Sequence, residues 1–216
     1  MLLHAAAPAS GAQIDITSPA DNSRVAWNAQ APYAVTASYN GKSTKFGELP
    51  ATAVVLRAAY VANADAPAAR RAPPLPEGLV QISQSNCMGC HDFAAASSAP
   101  SFAAIAKRYA GHVGAATMLA GHIRNGSSGN WGGGMMPPHP NLSPVQATAI
   151  AQWIVANAND PSVHYSIGNS GSFRMIALGK PGAHAGMVLS AYYAGPIKAG
   201  ESRAGSGRNT VVISGS

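Results

Sequence analysis

Ser85-Asn86-Cys87-Met88-Gly89-Cys90-His91-Asp92 holds both cysteines of the 216-residue chain and sets a histidine directly after the second. Two thiols at this spacing can form a disulfide, a redox dithiol, half of a zinc site or an attachment point for haem. A thioredoxin-type dithiol lies in a βαβ setting and has no use for the histidine, whereas the residues on either side here have helical periodicity. A zinc site needs further ligands at metal spacing, and the chain has no other cysteine. Covalent haem attachment uses all three side chains. The two sulfurs add across the vinyl groups of one porphyrin edge, and the adjacent imidazole reaches the iron. The two intervening residues set the sulfur spacing, and Gly89 lets the backbone lie against the ring.

Outward from this motif the chain keeps a helical period between residues 77 and 158. Leu79, Val80 and Ile82 precede the cysteines. Ser101–Tyr109 carries apolar residues at 102, 105, 106 and 109, one face of a helix. Ala115–Arg124 places Met118, Leu119, His122 and Ile123 together. A Gly-rich stretch, Asn125–Asn141, reads as irregular. Ser143-Pro144 is an N-cap followed by a first-turn proline; the helix it opens runs to Ala156 and is expected to turn Val145, Ala149, Trp153 and Ile154 inward.

Both flanks read as β. Residues 13–64 contain short alternating runs, among them Tyr33–Tyr39, followed by the turn pair Asn40-Gly41. Residues 65–76 form a Pro/Ala linker, and residues 159–216 hold candidate strands at 163–167, 172–177, 187–193 and 209–214. Each flank alone is marginal for an independent core. The expected fold class is therefore α + β: a helical domain at 77–158 flanked by, and inserted into, one immunoglobulin-like β-sandwich of two halves. Tyr33, Tyr39, Tyr192 and Tyr193 read as sandwich core ahead of carbohydrate-binding residues.

Cys87–His91, Ala99-Pro-Ser-Phe102, Ile105-Ala-Lys-Arg-Tyr109, Ile123-Arg-Asn-Gly126 and Trp131-Gly…Met136-Pro-Pro138 together resemble the small bacterial class I monohaem cytochromes c. The form Gly132…Met136-Pro-Pro-His-Pro140 is similar to cytochrome modules attached to pyrroloquinoline-quinone or sugar dehydrogenases. The resemblance implies an all-α cytochrome domain holding one covalent haem c on Cys87 and Cys90, with iron ligated by His91 and Met136. It implies that the Pro100 carbonyl accepts the His91 Nδ1–H, that Trp131 packs on the haem and donates to a propionate, and that Phe102, Leu119 and Ile123 line the haem while serving as core. Where relatives often carry Asn beside the methionine sulfur, this chain has His139. His4, His112, His122, His164 and His184 read as surface histidines.

The formal charge is +6, spread as +2 over residues 1–75, +1 over 76–158 and +3 over 159–216. No segment carries the basic stripe that phosphate neutralisation needs, so nucleic acid is not an expected partner. No apolar run approaches the ~20 residues of a membrane span. Residues 1–12 read as the remnant of an export signal lacking its basic start. The expectation is a non-enzymatic periplasmic or secreted electron carrier, with a dehydrogenase donor and a downstream acceptor as redox partners. The alternative is a haem-based sensor or a non-catalytic interaction module of a dehydrogenase complex.

Overall fold

The structure is a computed structural model that describes residues 11–216. Most of the segment read as an export-signal remnant, 1–10, lies outside the described residues. Five strands come first: β1 (Gln13–Ser18), β2 (Ser23–Val25), β3 (Gln30–Tyr39), β4 (Lys42–Ser43) and β5 (Val54–Val61). The middle holds α1 (Glu77–Gln84), α2 (Phe102–Tyr109), α3 (Ala115–Asn125), the short strands β6 (Ser127–Gly129) and β7 (Gly132–Met136), and α4 (Pro144–Asn157). The chain ends with β8 (Val163–Ile167), β9 (Ser170–Arg174), β10 (Gly186–Tyr193) and β11 (Thr210–Gly215).

Each large sheet mixes strands from both flanks. In the first, β3 pairs antiparallel with β1, β4 and β9. In the second the order is β2-β11-β10-β5-β8, antiparallel except for the parallel β2–β11 pair. Asn40 and Gly41, both at positive φ, make the tight turn between β3 and β4 that their sequence announced. Alternation along the strands sends Ile14, Ile16, Val35, Phe173, Leu56, Met187, Leu189 and Ile213 into one apolar core that both sheets share. Tyr33, Tyr39, Tyr192 and Tyr193 are all buried.

Strand β5 also serves a second core. Val54, Leu56 and Ala58 point into the core between the sheets, while Val55 joins Leu79, Ile82, Phe93, Phe102, Leu119, Ile123, Ile150, Trp153 and Ile154 around the helices. Tyr165 and Ile167 of β8 pack against this second cluster, and Gln84 Nε2 at the end of α1 donates to the Ala194 carbonyl at 2.5 Å.

Three helical expectations need correction. Val145 is 78% exposed, and the inward residues of α4 are Ala147, Ile150, Ala151, Trp153 and Ile154. At about 100° per residue, Val145 lies roughly 200° from Ala147, on the far side of the helix. The cap itself is as read: the Ser143 hydroxyl accepts from Gln146 N, and the Gln146 side chain accepts from Ser143 N. Met118 is 40% exposed, and α3 buries Leu119, Ala120 and Ile123 instead. The Gly-rich stretch is not wholly irregular, and the helical segment is not wholly α. β6 and β7 pair antiparallel, with Ser127 opposite Met136 and Ser128 opposite Met135. Gly129 and Gly132, both at positive φ, close the turn between them.

Helices α1 and α4 cross at Gly78, where an added methyl group would collide with the Ala149 carbonyl and Trp153 Cβ. Gly78→Ala is expected to lower stability by about 1–3 kcal/mol through overpacking, read as a lowered thermal midpoint of the whole chain.

Candidate haem site

The motif Cys87–His91 forms a tight turn at the end of α1. Residues Asn86–Gly89 wind as a 3-10 turn, and Cys90 N and His91 N both donate to the Cys87 carbonyl, at 3.3 and 3.0 Å. One turn of backbone therefore presents two sulfurs and one imidazole. Cys87 is half-buried and Cys90 exposed, and the two are not joined in a disulfide. Burial pushes the Cys87 thiol up to about 11. Asp92 Oδ1 accepts from Ala94 N and Ala95 N at 2.9 and 3.0 Å and folds the chain back after the motif.

His91 is fixed on two sides. Its Nδ1 lies 2.7 Å from the Pro100 carbonyl, an acceptor that fixes the proton on Nδ1. Its ring stacks on Phe102, with centroids 5.2 Å apart and 18° between planes. Segment 99–103 is itself laced to the motif: Ala99 N donates to the Cys90 carbonyl, Phe102 N to Asp92 and Ala103 N to Phe93, at 3.0, 2.9 and 3.0 Å. Ser101 caps α2 by accepting from Ala104 N.

The sulfur side is the β6–β7 hairpin. Met135 is 79% exposed, while its neighbour Met136 is half-buried and packs against the helical core. Adjacent strand residues face opposite ways, so Met136 is the thioether that turns inward. The base of the hairpin is seated closely. Gly126 ends α3 at positive φ, where a Cβ would come within 2.8 Å of the Met136 carbonyl oxygen. Beyond the two prolines, His139 N donates to Ile123 O at 2.9 Å, and Arg124 Nε donates to Leu142 O at 3.1 Å.

Phe102, Leu119 and Ile123 are buried in one cluster, against which Cys87, Met88 and Met136 pack. Trp131 is placed differently. It is 40% exposed at the hairpin tip, under the Arg108 guanidinium at 4.6 Å, and is no core tryptophan. Arg108 also donates to the Asn130 carbonyl. It holds the tip from α2, a role that its sequence, a plain Lys-Arg pair at a helix end, did not advertise. His164 corrects the surface reading: it is half-buried, its Nε2 lies 3.1 Å from Ser166 Oγ, and burial lowers its pKa, with Asp92 as the smaller, opposing influence. Sequence reasoning also passed over Phe93, which is 8% exposed and lies against Phe102, Trp153 and Tyr165.

The donor set fits haem c. Two unpaired thiols stand on one turn, and an imidazole with its outer nitrogen already committed stands beside them. A thioether faces inward from another element, and apolar walls lie between. Among the described residues no three His, Cys, Asp or Glu side chains gather as a chelating group.

The cytochrome c family profile matches residues 79–158. Cytochrome c-552 of Hydrogenobacter thermophilus is 45% identical over 73 residues, which cover 34% of this chain and 74% of that protein. Cytochrome c-551 of Ectopseudomonas mendocina is 42% identical over 69 residues, covering 32% of this chain and 83% of that one. The crystal structure of wild-type cytochrome c552 from Nitrosomonas europaea aligns at 43% identity over 35% of this chain and 93% of its own, with a TM-score of 0.34. A Cys-X-X-Cys-His turn and a buried apolar cluster thus coincide with the stretch these relatives share, and the chain belongs to the cytochrome c family as a class I monohaem cytochrome c with one covalent haem c on Cys87 and Cys90.

Proposed function

We propose that the chain relays single electrons in the periplasm through a haem c ligated by His91 and Met136, taking them from a dehydrogenase and passing them to a downstream acceptor. The observation that carries this reading is the pairing of a committed imidazole with an inward thioether. Pro100 holds Nδ1 of His91, and Met136 alone of the two hairpin methionines packs inward. When bound, the haem supplies a one-electron Fe(III)/Fe(II) couple. The chain's own residues do the rest. The Pro100 carbonyl fixes the tautomer and raises the basicity of His91. Pro137 and Pro138 restrict the backbone that carries the thioether. Phe102, Leu119 and Ile123 exclude water, which disfavours the more highly charged oxidised state. Two protein ligands leave no position for substrate, which supports a carrier over an enzyme.

The same reading divides the chain into a cytochrome domain at 77–158, a linker at 65–76, and one immunoglobulin-like sandwich made of 13–64 with 159–216. Support comes from strand pairs that join the two flanks, β3–β9, β5–β8 and β5–β10, and from the single core they enclose. Limited proteolysis in the linker is expected to leave the flanking pieces associated on gel filtration; their separation would count against a single sandwich.

Partners would meet an uncharged face. Ala94–Ser98, Met135, Pro137 and Pro138 are exposed, and the segment 76–158 carries only +1 before the propionates are added. Reduction by a small protein donor is expected to change less than about tenfold between low and physiological ionic strength.

Met136→Ala in protein matured with its haem is expected to abolish the sulfur-to-iron charge-transfer band and let the reduced form bind CO. Met135→Ala is expected to keep the band and exclude CO. CO binding by the unsubstituted reduced protein would instead favour a haem sensor.

A further inference from the structure

The axial histidine is backed by a chain of aromatic contacts that runs out of the cytochrome segment and ends on the sheet. His91 stacks on Phe102. Phe102 meets Phe93 edge-on, with centroids at 5.7 Å, and Trp153 at 6.4 Å. Phe93 and Trp153 both lean on Tyr165, at 6.0 and 5.3 Å. Tyr165 belongs to β8, where it is held opposite Arg57 of β5 by the ladder of the second sheet. Four rings packed edge-on, with Phe93 tilted against Tyr165, fill space with little slack.

Everything that orients His91 lies on the cytochrome side of these rings. The Pro100 carbonyl and the Phe102 ring sit on one segment, tied through backbone hydrogen bonds to Asp92 and Phe93. If Phe93 and Phe102 can settle outward, Pro100 moves with them, and the hydrogen bond from His91 weakens. A weaker bond makes the imidazole a poorer donor. The strand that supplies Tyr165 is paired to β5 along its whole length, from Val163 to Ile167.

We propose that Tyr165, a residue of the β unit, is a positioning residue for the axial ligand His91: its ring backs Phe93 and Trp153, and through Phe102 it sets the imidazole's orientation and its hydrogen bond to Pro100. The inference rests on His91 being an iron ligand.

The test uses the full-length protein matured with its haem, in parent form and as Tyr165→Ala, Tyr165→Leu, Tyr165→Phe and Val55→Ala. Val55 is fully buried at the same seam on β5 and serves as the packing control. Three quantities are measured: the reduced-to-oxidised ratio at a fixed ambient potential, the exchange rate of the His91 ring N–H by NMR, and the thermal midpoint. Tyr165→Ala is expected to raise the ratio about threefold or more and to speed N–H exchange, as loosening an outer-sphere partner does. Tyr165→Phe keeps the ring and is expected to match the parent. Val55→Ala is expected to lower the midpoint and leave the other two readings alone. Tyr165→Leu keeps bulk without the flat ring and decides the matter if the alanine variant does not mature; it is expected to move the same way. Ratio and exchange unchanged in the folded Tyr165 variants, or changed as much by Val55→Ala or Tyr165→Phe, would overturn the inference. Failure of the underlying reading shows separately, as a parent protein without haem or without a histidine-ligated spectrum.

Discussion

The two-faced packing of β5 sets where everything else in the molecule can sit. Because successive strand residues point to opposite faces, Val54, Leu56 and Ala58 are committed to the core between the sheets and Val55 to the helical core. A slip of one residue would exchange the two sets. β5 is also the last strand before the helical segment, and its partner β8 is the first after it. The entry and exit of that segment are thus held side by side by a ladder of backbone hydrogen bonds. A domain whose ends lie close together can be accommodated in a loop of another without disturbing its pairing.

This arrangement relieves a weakness of the helical segment. About 80 residues bury a limited fraction of their surface, and here Val55, Ala194, Tyr165 and Ile167 extend the apolar cluster from the sheet side. The close crossing of α1 and α4 at Gly78 tightens it further. A dense, dry core beside the attachment motif opposes any added charge at the same place.

Most local features were legible because they are fixed by neighbours in sequence. The Cys87–His91 motif, the Ser143-Pro144 cap, the Asn40-Gly41 turn and strand β8 each follow from residues within a few positions of one another. The misses are of two kinds. Val145 lies near a helix end, where an apolar residue says nothing of its direction until its angle round the axis is followed, and Met118 stands on the outer side of α3. The β6–β7 hairpin lies in a stretch where glycine supplies conformational freedom and no propensity. The contacts of Arg108 with Trp131, and of Phe93 with Tyr165, join residues far apart in the chain, and neither arginine nor tyrosine carries a local mark of such a partner. Long-range packing of single residues was the part that pattern alone could not reach.

The two sides of the site are supported by different parts of the molecule. The hairpin that carries Met136 pairs only with itself and is seated by Arg108 of α2 and by the end of α3, all within the cytochrome segment. His91 is backed through Phe102, Phe93 and Trp153 by a strand of the β unit. A disturbance of the second sheet, by a bound partner or by a substitution, therefore has a packed aromatic route to the nitrogen side. With His91 and Met136 as the proposed ligands, loss of the sulfur would open a coordination position, whereas a change behind the imidazole would alter donor strength with both ligands in place. On that proposal the architecture would expose the property a carrier can vary, its potential, to the β unit, and keep the property it must preserve, closed coordination, within the cytochrome segment.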